Sequence, residues 1–160
     1  DKALEPVLSY HKDHYFRIYF KSQKGKQKTD QLIKKHQYFL YCSKCLNFTT
    51  SHYNKESCSC GTQFQFAGPL WVGDLQDSKL VKKMAKNNSF PEEQDFLNIL
   101  AQESETVGFQ DLHQIAKVYG LESPKRDFIL KKIKGTRTHF SPTGFRSNKK
   151  IKEIINGNKV

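Results

Sequence analysis

Residues 41–61 read YCSKCLNFTTSHYNKESCSCG and hold all four cysteines of the chain. Four thiols this close in sequence can serve as two disulfides in an oxidising compartment or as one metal site in a reducing one. The opening DKALEPVLSY lacks the basic-then-apolar pattern of a signal peptide. No apolar run approaches the ~20 residues a bilayer span needs, so no membrane partner is expected. Nothing points to secretion, and the reading is a cytoplasmic protein with reduced thiols. The opening also lacks Met, which suggests a piece of a longer protein.

The spacing then favours metal. Cys42 and Cys45 form a CxxC, twelve residues intervene, and Cys58 and Cys60 form a CxC followed by Gly61. Tetrahedral zinc takes four soft ligands, and two short knuckles supply them as pairs that turn back on the ion. The CxC is tight, and Gly61 provides the backbone freedom such a turn needs. His52 lies between the pairs and is an alternative ligand, although four thiolates already complete a structural site. YFLYC before the first knuckle and TQFQFAG after the second are strand-like, so a structural zinc is expected to clip two strands together.

Charge and aromatic content bear on the partner. The chain has 160 residues, a net charge of +11 and a mean hydropathy of −0.73, yet its twelve Phe and seven Tyr argue against disorder. Residues 1–75 carry eleven Lys/Arg against six Asp/Glu, residues 76–124 five against eight, and residues 125–160 eleven against two. Such segregation is what a polyanion partner requires, although surface lysines also serve solvation alone.

Hydrophobic periodicity divides the chain into a strand-rich part, 1–75, and a helical part, 76–160. In HYFRIYFKS the alternation puts Phe16, Ile18 and Phe20 on a buried face, and Tyr15, Arg17, Tyr19 and Lys21 on an outer one. That outer face suits RNA or plain solvent equally. KSQKGKQKTDQLIKK is a basic loop or a short helix. DSKLVKKMAK reads as a helix capped by Asp77, with Leu80, Val81 and Met84 on one face. SFPEEQDFLNILAQE carries a Ser89/Glu92 capping-box pattern ahead of Phe96, Leu97 and Leu100. DLHQIAKVYG ends on Gly120, and SPKRDFILKKIKG begins with Ser123 as cap and Pro124 at the first helical position. The short GLES link suggests a helix-turn-helix-like pair, a geometry that packs cores more often than it reads grooves. NKKIKEIINGNK reads as a terminal helix. No Gly-rich phosphate loop or GxGxxG is present, and the carboxylates of the middle region read as surface groups, so the chain by itself is not expected to be catalytic.

Three blocks carry a resemblance: DHYFRIYFKS at 13–22, FAGPLWVGDLQD at 66–77 and TRTHFSPTGFRSN at 136–148. In order and spacing they resemble the carboxy-terminal half of the tRNA guanine-26 N2-dimethyltransferases. The resemblance implies an AdoMet-dependent enzyme acting on a tRNA guanine, with this region as its tRNA-gripping domain. AdoMet and the reaction would then belong to an N-terminal methyltransferase lobe that the chain does not contain. On that reading Arg137 and Arg146 bracket a Pro-Gly turn and hold phosphate, Thr138 and His139 add polar contacts, and Lys149 and Lys150 follow. With Arg17 and Lys21 these form the expected RNA-binding set on a single basic face. Phe140 and Phe145 anchor the turn in the core. The fold expected is α+β: an antiparallel sheet region with a four-cysteine zinc insert, then a helical region. Two alternatives are a stand-alone zinc-ribbon module binding DNA or RNA, and a zinc-stabilised protein-interaction domain.

Overall fold

A computed structural model describes residues 1–122 and 125–156. Strand β1 (Lys2–Lys12) pairs antiparallel with β2 (Tyr15–Lys24), from Lys2 opposite Lys24 to Lys12 opposite Tyr15. The tight turn between them puts Asp13 at φ 52, a left-handed value that Asp tolerates better than most residues. Helix α1 (Lys26–Ile33) follows, which decides the loop-or-helix alternative for this basic stretch. Strands β3 (His36–Tyr41), β4 (Phe48–Ser51) and β5 (Gln65–Trp71) form a second antiparallel sheet in the order β4-β3-β5.

The helical part begins with α2 (Ser78–Lys86), whose cap is the expected Asp77. Its carboxylate accepts from the Lys79 and Leu80 N–H groups at 2.9 and 3.1 Å. The Ser89/Glu92 capping box does not form. A short 3₁₀ turn occupies Pro91–Glu93, and the Asn88 side chain fastens it by accepting from the Phe90 N–H and donating to the Phe90 carbonyl. Pro91 has no N–H to give and starts the tighter turn instead. Helix α3 (Gln94–Gln102) follows, then α4 (Leu112–Tyr119), α5 (Arg126–Ile133) and α6 (Ile151–Asn156). Gly120, at φ 61, ends α4 as expected, whereas Ser123 and Pro124 lie outside the described residues. The helical part also holds an unexpected small sheet, β6 (Gln110–Asp111), β7 (Thr136–Arg137) and β8 (Gly144–Arg146), in the order β6-β8-β7.

Two apolar clusters hold these elements. The larger centres on Phe145, Ile129, Ile151 and Ile154, all essentially inaccessible, so Phe145 anchors the turn as expected. Leu46 from the first cysteine knuckle belongs to the same cluster and ties the β4-β3-β5 sheet to the helices. In the smaller cluster Leu8 of β1 packs with Val81 of α2 and Leu100 of α3.

One expectation is reversed. Phe16, Ile18 and Phe20 are 73%, 53% and 48% exposed. The helices lie on the other side of the ribbon, where Ala3 and Leu8 are buried and where Tyr15, Arg17 and Lys21 line grooves against α1, α2 and α3. Strand alternation defines two faces, but β2 is the outer strand of a two-stranded ribbon, and among the described residues no layer covers its apolar face.

Candidate functional site

The cysteine cluster is built by two turns. Cys42 ends β3, its N–H donates to the Asn47 carbonyl at 2.9 Å, and the Leu46 N–H returns to the Cys42 carbonyl at 2.8 Å. In the second turn the Gly61 N–H donates to the Cys58 carbonyl at 2.8 Å, with Gly61 at φ +82, the conformation for which glycine is suited. Together they bring the four Sγ atoms within 4.8 Å of one another. Cys42 Sγ lies 3.5 Å from Cys60 Sγ, and Cys45 Sγ lies 3.4 Å from Cys58 Sγ. A disulfide needs about 2.05 Å. Four sulfurs at about 2.3 Å from a central zinc sit about 3.8 Å apart, and the cluster suits that tetrahedron.

The thiols differ in how readily they ionise. Burial pushes the Cys45 thiol up to about 12, the cost of a thiolate with no cation beside it. The Thr62 hydroxyl, 3.5 Å from Cys60 Sγ, and the Thr62 backbone pull the Cys60 thiol down to about 6. His52 does not join the group; its ring lies 3.3 Å from the Gln37 amide. The Tyr119 hydroxyl donates to the Cys45 carbonyl at 3.0 Å, a second tie between the cluster and the helices.

The THFSPTGFR block builds a buried polar network. Glu103, just beyond α3, is 8% exposed and Arg146 of β8 is 4% exposed, with Arg146 Nε 2.7 Å from Glu103 Oε1. Arg146 Nη1 also donates to the Thr106 and Ser104 carbonyls at 2.7 and 3.3 Å. Thr138 donates its hydroxyl to Glu103 Oε1 at 2.5 Å, and His139 Nδ1 lies 2.5 Å from Oε2. The His11 N–H donates to His139 Nε2 at 3.2 Å, so the hydrogen-bond pattern places the ring proton on Nδ1 and stitches β1 to the network. Burial works to raise the Glu103 carboxyl, but the hydrogen bond from His139 and the charge of Arg146 outweigh it and hold the group below its ordinary value.

Asp111 organises the turn beside it. Its Oδ1 caps α4 through the His113 and Gln114 N–H groups, and its Oδ2 accepts from the Ser141 and Thr143 hydroxyls at 2.9 and 2.6 Å. Burial opposes ionisation here too, and these donors overcome it to lower the pKa. Glu103 and Asp111 therefore correct the surface reading of the middle carboxylates: both hold the fold together. Nothing local in the sequence marks Glu103, because its partners lie 35 to 43 residues further along the chain.

The expected RNA-binding residues fall into two groups. Arg146, Thr138 and His139 are committed to Glu103 and to backbone groups inside the protein, and the Arg146 and His139 side chains are 4% exposed. They present nothing to a phosphate, because a buried carboxylate claims them first. Arg17, Lys21, Arg137, Lys149 and Lys150 are exposed. Arg137 reaches both Asp127 carboxylate oxygens, at 2.8 and 2.9 Å, and Lys149 lies 3.2 Å from Glu153. Four of these cations border three separate grooves. Arg17 borders a cleft against α2 and α3, and Lys21 borders another with Lys28 and Lys35. Lys149 and Lys150 flank a groove of about 350 Å³ whose opposite wall is Asn47–Thr50, next to the cysteine cluster.

Comparison with known proteins places this architecture. The family model of the N2,N2-dimethylguanosine tRNA methyltransferases matches residues 1–158. The chain is 34% identical over 97% of its length to a tRNA (guanine(26)-N(2)/guanine(27)-N(2))-dimethyltransferase of Aquifex aeolicus, covering 43% of that protein. It is 33% identical over its whole length to a tRNA (guanine(26)-N(2))-dimethyltransferase of Sulfurisphaera tokodaii, covering 46% of it. The solved structure of Trm1 from Pyrococcus horikoshii with S-adenosyl-L-methionine superposes with a TM-score of 0.84 at 28% identity, over 98% of this chain and 44% of that one. The chain thus spans less than half the length of the relatives it matches. The match over residues 1–158, the relatives at 33–34% identity and the shared α+β fold agree: the chain belongs to the N2,N2-dimethylguanosine tRNA methyltransferase family.

Proposed function

We propose that this chain is the tRNA-gripping part of a tRNA guanine-26 N2-dimethyltransferase, orienting folded tRNA for a methyltransferase lobe that lies outside it. The observation that carries this reading is the Lys149/Lys150 groove. Both lysines are exposed beside the cysteine cluster, in a groove that Thr49 and Thr50 also line and in a segment that carries nine more Lys/Arg than Asp/Glu. Such a groove, basic on one side and polar on the other, suits a phosphate backbone and the shape-based recognition of folded RNA. Arg17, Lys21 and Arg137 add cations elsewhere, so tRNA would lie across several surfaces. Arg146, Thr138 and His139 act as positioning residues that hold the THFSPTG turn.

In this reading zinc occupies the four-thiolate cluster through Cys42, Cys45, Cys58 and Cys60 and has a structural role. It would neutralise the buried thiolates and fix the Asn47–Thr50 wall of the groove against the helices. A thiolate-held metal suits a reducing compartment such as the cytoplasm. AdoMet would bind the methyltransferase lobe; the Pyrococcus Trm1 was solved in complex with S-adenosyl-L-methionine. The uncovered ribbon face of Leu4, Phe16, Ile18 and Phe20 is where that lobe would pack, because an apolar stripe of this kind marks a protein contact and more than half of each relative's length lies outside the match.

Family membership over residues 1–158 tells against a stand-alone zinc ribbon or a general interaction domain. Competition at equal salt between full-length tRNA and duplex DNA tests the proposal. Preference for tRNA is expected, and equal competition would overturn it.

A further inference from the structure

Resting on the tRNA-binding reading but going beyond it is a cleft of about 640 Å³ between the β1–β2 ribbon and helices α2 and α3. Its size falls within the range of small-molecule sites, roughly 300–1,000 Å³. One wall is aromatic: Tyr10 and Phe96 meet edge to face, with ring centroids 5.5 Å apart. The lip is Phe90, 63% exposed yet set on a fastened backbone, because the Asn88 amide bonds both its N–H and its carbonyl and Pro91 follows. A large apolar ring carried on a fastened backbone has less freedom to lose on binding than one on a free loop.

Charge selects the ligand. Glu93 is the carboxylate in the lining, and it is already paired across the cleft with Lys12. Arg17 and Lys83 also line the cleft, and among the described residues neither has a carboxylate partner. Arg17 is oriented by Tyr15, its guanidinium 4.7 Å from the ring centroid, and lies 3.4 Å from the Tyr10 hydroxyl. An aromatic slot with two uncompensated cations at its rim fits a ligand that is flat, apolar and anionic at one end. Within RNA that ligand is a nucleotide whose base has left the stack.

We propose that this cleft receives one unpaired nucleotide of the bound RNA, its base between Phe90 and the Tyr10–Phe96 wall and its phosphate on Arg17 and Lys83. The test measures the affinity of the metal-loaded chain for full-length tRNA and for a blunt RNA duplex. Phe90→Ala should weaken tRNA binding by about 5- to 150-fold, the worth of one base stacked on an aromatic side chain, and leave duplex binding unchanged. Phe90→Trp should retain tRNA affinity, and Arg17→Gln should weaken it with a shallower salt dependence. Phe90 is exposed, so neither substitution at it should shift the melting temperature. If Lys149→Ala/Lys150→Ala weakens tRNA binding while Phe90→Ala does not, the cleft assignment is wrong and the RNA-binding reading stands; the cleft then seats an apolar protein segment. Equal loss on tRNA and duplex would also overturn the assignment. If the unaltered chain shows no preference for tRNA, both readings fall.

Discussion

Arg146→Ala separates a phosphate-binding arginine from a structural one. Both partners of the Arg146–Glu103 pair are 4% exposed at the side chain, so solvent does little to screen their interaction. Removing one member of a buried pair leaves the other charge stranded, at a cost of about 3–5 kcal/mol. For a chain of this size each kcal/mol moves the melting temperature by about 2–4 °C, which puts the expected fall at about 6–20 °C. Urea and thermal unfolding of the metal-loaded protein measure it. The double variant Glu103→Leu/Arg146→Met removes both charges and should recover part of the loss, the remainder reflecting the Thr138, His139, Ser104 and Thr106 polar groups left without partners. The pH dependence carries a sign. In the unaltered protein Glu103 is held below its ordinary pKa, so its contribution is complete above about pH 4.5 and fades as pH falls through its lowered folded value. Without Arg146 the carboxyl keeps its hydrogen bonds from His139 and Thr138 but loses the cation, so its folded pKa rises from that lowered value and the variant gains less stability than the unaltered protein as pH rises toward 4.5. The gap between the two proteins should therefore narrow toward pH 4. A melting temperature unchanged within 1 °C, together with weakened tRNA binding, would refute the buried-pair account and return Arg146 to the RNA surface.

Elemental analysis should find one zinc per chain, and Cys42→Ser or Cys58→Ser should lose it along with much of the fold, since apparent binding energies of structural zinc are about 10–16 kcal/mol. Disulfides in the reduced protein, or full stability in strong chelator, would contradict this. Asp111→Ala removes an N-cap, worth about 0.5–2 kcal/mol, and also strands the Ser141 and Thr143 hydroxyls. Chemical denaturation should register a loss at or above the top of that range, and Asp111→Asn should recover part of it. Phe16→Ser and Phe20→Ser should change the stability of this chain by less than about 0.5 kcal/mol, because both rings are exposed, while Leu8→Ala should cost about 2–5 kcal/mol. Unfolding of the three variants side by side checks that the ribbon is read the right way round.

The cysteine cluster was legible in the sequence because its ligands are local: a CxxC, a CxC and a glycine define their own turns. The Asp77 cap and the end of α4 at Gly120 were legible for the same reason. The covered face of β2 was not, since alternation distinguishes two faces without saying which one meets another layer. Ser89 and Glu92 had capping-box spacing, but Pro91 between them favoured a 3₁₀ turn fastened by Asn88. Arg146 shows the deeper limit. An arginine in a Ser-, Thr- and Lys-rich turn carries the composition of a phosphate site whether it faces solvent or a buried carboxylate. Only the fold, which brings Glu103 beneath it, distinguishes the two. The two phenylalanines of the turn look alike in the sequence, yet Phe145 is fully buried, whereas Phe140 is half-buried and stacks on Phe109 with centroids 5.7 Å apart.

The most direct measurement of the central claim is the salt dependence of tRNA binding by the unaltered chain and by Lys149→Ala/Lys150→Ala. Each phosphate contact contributes about 0.7–0.9 to the slope of log K against log salt concentration. If both lysines hold tRNA phosphates, the double variant should lose about 1.4–1.8 from that slope, bind more weakly at low salt and melt at an unchanged temperature. An unchanged slope and affinity at equal stability would contradict the proposal that this groove grips tRNA.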